Sequence, residues 1–415
     1  MTKINRREFL KKNAFAVGGI GLGNATLNAF GNRVAKNDVI NMGIIGSGRH
    51  GRWTMHVLKK GLPNIKMIAC CDILPEHLQK GLKQAEKGAV GYVDYRKLLE
   101  NKDIDAVLIA TPLSLHYQMA VDALASGKHV YCEKTMTYNI EQALKLVQAA
   151  KASKKTFQVG YQMRLNPLYH KIKEMLDVDY LGTLTHVYCN YNRNADWRRP
   201  VKNPAHERII NWRMYREFSV GLMAELCSHH IDLINMILDS HPTTACGLGG
   251  IDYWKDGRET YDNVHALYSY PKGIKAAFSS LTTNAFHGIK IQFLGTEGTI
   301  IIGNHQEHKI MYYPEGKLAE EVQDKDAKDQ LDTTTSATTK ALRRGEGVPI
   351  IVEDRAKDEG ENKIMAFSHF ADCVYNNRTP LPNVESGRQS AIAVHIADLA
   401  MRNGTVENWK PEYSV

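Results

Sequence analysis

Three glycines, Gly46, Gly48 and Gly51, lie where a short apolar run ends and an amphipathic stretch begins, in the segment Gly43-Ile44-Ile45-Gly46-Ser47-Gly48-Arg49-His50-Gly51. The spacing is G-x-G-x-x-G. It suits a strand that turns tightly at Gly46, leaves bare backbone at Gly48 for a phosphate to approach, and packs a helix closely on the sheet at Gly51. The surrounding chain supports this reading. Apolar runs at 40–45, 66–71, 106–110, 129–132 and 156–159 alternate with helical periodicity at 53–60, 75–86, 115–126 and 139–152. Such βαβα alternation predicts a parallel sheet covered by helices on both faces, with its ligand crevice at the carboxyl ends of the strands.

Asp72 closes the second run, 21 residues after Gly51. An acidic side chain there can accept hydrogen bonds from ribose hydroxyls and repels a 2′-phosphate, so the expected cofactor is NAD; Arg49, which offers a phosphate partner, keeps NADP as the less favoured choice. After a helix near 168–176 the rhythm changes. Runs at 184–192, 245–253, 264–270, 274–281, 290–294 and 299–302 follow one another with one long helix, 221–238, between them. The fold class expected is therefore an α/β Rossmann domain followed by an α+β domain with a large, mainly antiparallel open sheet. The divisions expected are 1–36, 37–160 for the dinucleotide domain, 161–375 for the substrate and oligomerisation domain, and 376–415 for a helical segment packing back on the body. A polar stretch at 316–345 reads as a loop.

The net charge of +8 over 415 residues invites a polyanion partner, but residues 1–36 carry +6 of it and the remainder only +2. That basic start contains Asn5-Arg6-Arg7-Glu8-Phe9-Leu10-Lys11-Lys12, then the apolar, glycine-rich stretch 14–22. It has the form of a twin-arginine export signal, which predicts a periplasmic protein. Nucleic-acid binding is not expected of the rest, and no run has the length of a membrane span. Seven cysteines show neither paired metal spacing nor a disulfide framework, so no metal is expected.

The segments Val107-Leu108-Ile109-Ala110-Thr111-Pro112, His116, and Gly127-Lys128-His129-Val130-Tyr131-Cys132-Glu133-Lys134 resemble the Gfo/Idh/MocA oxidoreductases, whose hallmark strand ends in Glu-Lys-Pro; Thr135 stands here in place of the proline. The resemblance implies that Thr111, Pro112, His116, Glu133 and Lys134, with Arg49 and His50 beside the glycine turn, line the cofactor crevice. It implies that Lys134 hydrogen-bonds the reacting hydroxyl. Glu225, His229 and Asp232 are spaced i, i+4, i+7 on the long helix. Glu225 and His229 resemble the family's Asp-x-x-x-His pair, which implies His229 as general base and Glu225 as the group that orients its ring or meets substrate; Asp232 reads as structural.

Gly160 to Pro167 resembles the family's Gly-x-x-x-Arg-x-x-Pro, which brings Tyr161 and Arg164 forward as substrate contacts. Trp197, Arg198, Trp212 and Arg213 add flat rings and forked donors of the kind that hold sugars. The expected function is oxidation of a secondary hydroxyl of a sugar or glycoside, carbon 3 being a candidate, with the cofactor retained on the enzyme. The same fold includes the NAD-dependent family 109 glycosidases, which oxidise, eliminate, hydrate and reduce back, so a hydrolase is the alternative. The resemblance also implies a homodimer or homotetramer.

Overall fold

The computed structural model describes residues 39–303, 310–315 and 347–414. The proposed export signal and the polar stretch 316–345 lie outside these residues. Six parallel strands, β1 (Ile40–Ile45), β2 (Ile65–Cys71), β3 (Val90–Tyr92), β4 (Ala106–Ile109), β5 (His129–Cys132) and β6 (Phe157–Val159), form the first sheet in the order β3-β2-β1-β4-β5-β6. Strand order reverses between β1 and β4, and the crevice opens at that point. Every side chain of β4 is buried, as a parallel sheet covered on both faces requires. β3 carries no apolar run, since its three residues are exposed or half-buried at the sheet edge, and it was not expected. Lys134 consequently follows the fifth strand, although the apolar run before it is the fourth in the sequence.

The second sheet has nine strands: β7 (Leu184–Tyr191), β8 (Thr244–Gly250), β9 (Asn263–Ser269), β10 (Lys275–Leu281), β11 (Ile289–Gly295), β12 (Gly298–Ile302), β13 (Ile310–Pro314), β14 (Val348–Pro349) and β15 (Glu407–Asn408). Their order is β14-β13-β12-β11-β7-β10-β9-β8-β15, antiparallel except where β7 meets β10. Along β9, Val264, Ala266 and Tyr268 point into the core while His265 and Leu267 face out. The inner face packs on the helix Ser228–Leu238 and on Val384–Asn403, where the Tyr268 hydroxyl donates to the Ala393 carbonyl at 2.9 Å. The outer face leaves Leu248 77% and Leu267 55% exposed, with Tyr188 on the same face across β10.

Two closing helices return to the first domain. Glu359–Tyr375 lies against the helix Arg49–Gly61, although the sequence groups it with the second domain; Val384–Asn403 packs on Ile140–Ser153, on β8 and on Ser228–Leu238. Tyr131 of β5 stacks on Phe367 at 4.0 Å, so the strand that carries Glu133 and Lys134 is gripped from the far end of the chain.

Candidate active site

The glycine turn has the expected form. Gly46 adopts φ +95°, and a Cβ there would lie 2.6 Å from the Ala110 carbonyl oxygen, so no larger residue fits. At Gly51 a Cβ would meet the Gly46 carbonyl oxygen at 2.3 Å, whereas at Gly48 it would meet nothing within 4 Å. The helix Arg49–Gly61 that follows has no side-chain cap and no acidic residue in its first turn. Its first N–H groups thus have no protein side chain to receive them, the condition for holding phosphate.

Asp72 lies just past β2. One carboxylate oxygen accepts the Leu74 N–H at 2.9 Å, and the other faces the Ser47 hydroxyl at 3.4 Å and His77 Nδ1 at 3.6 Å. His77 was not foreseen. At the end of β4, Thr111 presents its carbonyl to His116 Nε2 at 3.0 Å, while His116 Nδ1 lies 2.9 Å from the Thr135 carbonyl. The buried imidazole therefore ties the Thr111-Pro112 corner to the residue after Lys134. Burial pulls its pKa down, opposed by those two carbonyls.

Glu133 is buried, and its Oε1 receives Lys363 Nζ at 2.8 Å and His50 Nε2 at 3.1 Å. Burial raises a carboxyl, but here the charges of Lys363 and His50 outweigh it and hold Glu133 well below its ordinary value. Its carboxylate thus joins the first helix, β5 and the closing helix, and the expected cofactor contact becomes an anchor beneath the crevice. Lys363, also buried, is the partner that sequence reasoning missed.

The Lys134–Thr135 peptide is cis. Lys134 reaches across to the second domain, where Nζ donates to the Glu225 carbonyl at 2.8 Å and meets the Ala224 carbonyl at 3.4 Å. The reason lies in the long helix, which begins with a π-helical turn, Met223–Cys227. A widened turn leaves carbonyls open to side-chain donors. Ala224 accordingly also accepts from Thr135 Oγ1 at 3.0 Å and Ser228 Oγ at 2.6 Å. Burial, aided by Arg213 and opposed by Glu225, lowers the Lys134 pKa.

That same turn alters the Glu225–His229 relation. Glu225 Oε2 takes Arg213 Nε at 2.7 Å and Oε1 faces Ser219 Oγ at 3.4 Å, while Arg213 stacks 4.2 Å above Trp212. Burial would raise the Glu225 carboxyl, but Arg213 and Lys134 hold it ionised and below its ordinary value. It makes no hydrogen bond to His229 among the described residues, which corrects the ring-orienting role read from i, i+4 spacing. His229 lies edge-on to Tyr161, ring centres 6.4 Å apart, and its Nδ1 has no partner among the described residues. Burial, the Lys134 charge and His230 push its pKa well below the usual histidine value, so the ring is neutral at pH 7.

Arg164 is corrected as well. It is buried, with Nε 2.7 Å from Asp232 Oδ2, and Asp232 Oδ1 accepts from Ser390 Oγ at 2.8 Å. This pair clasps the helix Ser228–Leu238 to both neighbours, and Asp232 is structural as expected. Arg198 is likewise held by Glu207 and by Asp256, away from any free position. Trp197, at φ +65°, and Trp212 pack partly into the core. Tyr161 is buried beside Thr135 and Ser228, its hydroxyl pKa pushed up by burial. Among the described residues no group of three or more His, Cys, Asp or Glu is arranged to hold a metal, and no helix is long and apolar enough to cross a membrane.

A dinucleotide cradle opposed by a lysine and a neutral histidine defines a two-domain NAD-binding oxidoreductase. Comparison with known proteins makes this specific. Residues 40–161 match the oxidoreductase family with NAD-binding Rossmann fold, and residues 169–301 match the GFO/IDH/MocA C-terminal domain. The chain belongs to the Gfo/Idh/MocA oxidoreductase family. It is 25% identical over 344 residues to the scyllo-inositol 2-dehydrogenase (NAD(+)) of Bacillus subtilis (strain 168), covering 81% of this chain and 87% of that protein. To a glycosyl hydrolase family 109 protein of Shewanella baltica (strain OS195) it is 28% identical over 239 residues, 52% of this chain and 51% of that one. A levoglucosan dehydrogenase in complex with NADH shares the fold, with TM-score 0.70 and 19% identity over 89% of this chain and 99% of that one.

Proposed function

We propose that this oxidoreductase acts on a secondary hydroxyl of a sugar or glycoside, is exported by its twin-arginine segment, and keeps NAD bound between turnovers. The observation that carries the reading is the neutral, half-buried His229 imidazole, with Nδ1 unpartnered, within electrostatic reach of Lys134. The uncapped helix after Gly48 and the open space at that glycine fit a pyrophosphate, and the Asp72 carboxylate favours the 2′-hydroxyl of NAD. When bound, the nicotinamide supplies the hydride acceptor.

The protein's own groups manage the proton and the charge on oxygen. His229, neutral, takes the hydroxyl proton. Lys134 turns its ammonium from the Ala224 and Glu225 carbonyls toward the substrate oxygen and steadies the charge that develops there. Glu225 fixes Arg213 over Trp212, giving a charged fork against a flat ring, a surface suited to a sugar. Free NAD is scarce outside the cytoplasm, so an exported enzyme of this kind retains its cofactor and returns it to the oxidised state with a second substrate. The exposed outer face of the second sheet supports assembly into a homodimer or homotetramer.

A second reading, an NAD-dependent glycosidase, is favoured by the similarity to the Shewanella protein. Mass spectrometry of the purified protein for bound dinucleotide, followed by incubation with a panel of glycosides, tests both. Accumulation of a ketone, such as a 3-keto-glycoside, supports the dehydrogenase; release of free sugar from an aryl glycoside with no net NADH supports the hydrolase. Protein that carries no dinucleotide and binds none overturns both.

A further inference from the structure

Between β7 and Glu207 the chain crosses from the second domain toward the glycine turn. Its backbone is fixed at both ends. Arg193 and Ala195 donate their N–H groups to the Leu281 and Thr282 carbonyls at 2.8 and 3.0 Å. The buried Asn211 amide accepts the Arg199 N–H at 2.7 Å and donates to the Arg199 carbonyl at 3.0 Å. Such a reciprocal amide clamp sets where the Arg199 side chain leaves the backbone.

Four arginines of the second domain near this segment have carboxylates. Arg198 pairs with Glu207 and Asp256, Arg208 with Glu217 and Glu259, Arg213 with Glu225, and Arg258 with Asp256. Arg199 is half-buried, yet its guanidinium has no carboxylate partner among the described residues. Burial and the nearby charges of Arg213, Arg49 and Arg52 push its pKa down, so every charge acting on it is positive. Two of those arginines belong to the helix that begins after Gly48, and Arg49 also lacks a carboxylate partner among the described residues. Three residues further on, Lys202 is within electrostatic reach of Glu76, in the helix Pro75–Leu82 that follows Asp72. The segment therefore extends from the glycine turn to the ribose end of the crevice.

Arg213, Arg49 and Arg52 are all within electrostatic reach of Arg199, and of these four guanidinium groups only Arg213 has a carboxylate among the described residues, so an anion of more than one charge is needed to neutralise them. A pyrophosphate is such an anion, and the uncapped helix start lies among these residues. We propose that Arg199 is a pyrophosphate clamp, supplied by the second domain to the dinucleotide site of the first. The proposal rests on the NAD reading above and deepens it, because a strap held by the other domain gives the cofactor a slow exit.

The test follows NADH fluorescence as the cofactor leaves the holoenzyme, together with displacement titrations by ADP-ribose and by adenosine, in wild type, Arg199→Gln and Arg199→Lys of matched thermal stability. Loss of one charge-assisted contact should speed NADH release by about ten- to a hundredfold in Arg199→Gln and weaken ADP-ribose by a similar factor. Adenosine, which has no pyrophosphate, should bind as before, and Arg199→Lys should fall between. ADP-ribose binding equally well to wild type and Arg199→Gln overturns the clamp alone. A rise confined to the sugar KM also overturns it and assigns the arginine to an anionic substrate. Wild type that binds neither NADH nor ADP-ribose overturns the cofactor reading together with the clamp.

Discussion

The polar groups beneath the cofactor crevice and those facing it from the second domain are wired differently. In the first domain Glu133 is bonded to His50 and Lys363, His116 lies between two carbonyls, and Asp72 accepts from Leu74. In the second, His229 Nδ1 is buried without a partner and Arg199 has no carboxylate among the described residues. An unpartnered buried polar atom costs roughly 1–3 kcal/mol, so it persists where a ligand or a reaction uses it. The groups of the first domain are organised in advance, and these two of the second domain hold their hydrogen-bonding capacity in reserve.

The contrast predicts that removing a reserved group affects rate and spares stability. His229→Ala should lower kcat by about 10²–10⁴-fold, the range for loss of a general base, with NADH affinity and Tm nearly unchanged. Lys134→Met should act in the same direction and to a smaller extent. Steady-state kinetics beside a thermal melt and an NADH titration make the comparison, and turnover that survives His229→Ala abolishes the division drawn here. Removing a matched group should do the reverse. Lys363→Met leaves the buried Glu133 carboxylate with His50 alone, a loss of about 3–5 kcal/mol in urea unfolding. An unchanged urea midpoint would show that Glu133 is not the anchor that its contacts make it.

The same contrast marks what could be read from residues. The parallel sheet was legible because each buried strand is a continuous apolar run between helical patterns, and the glycine turn because its steric demands admit one residue type. Lys134 and His229 were legible through local motifs. Pairings between distant segments were not: Lys363 and Glu133 are 230 positions apart, and no spacing rule connects them. A trace existed, since Lys363 shares the helix face of Phe367 and Phe370, and a lysine on a buried stripe must find a carboxylate. The π turn at Met223–Cys227 left no such trace. It moved the Glu225 carboxylate onto Arg213, where regular helical spacing would have placed it toward His229. Arg164 was misread because an arginine beside a crevice gives the same sequence signal as one that faces inward to Asp232.

The smallest effect separates two depressed histidines on opposite sides of this division. His129, in β5, accepts the Thr156 N–H at Nδ1 over 3.1 Å, and burial with the Lys155 charge lowers its pKa from 6.5 to about 4. Because the folded value lies below the unfolded one, the unfolded chain takes up the proton first. The stabilisation is complete above pH 6.5 and is lost as pH falls toward 4. Discounted for the partial exposure of the ring, the loss at pH 5 is about 1 kcal/mol. His129→Asn keeps an acceptor for the Thr156 N–H without a titrating ring, so urea unfolding from pH 7 to 5 should show a flatter stability profile than wild type. His229 is depressed too, chiefly by burial and Lys134, but its proton belongs to the reaction, so its titration should enter the pH profile of kcat/KM as an acid limb below the usual histidine range. If His129→Asn moved that limb, or left the stability profile as steep as before, the separation between matched and reserved groups would fail at the residue where it is easiest to isolate.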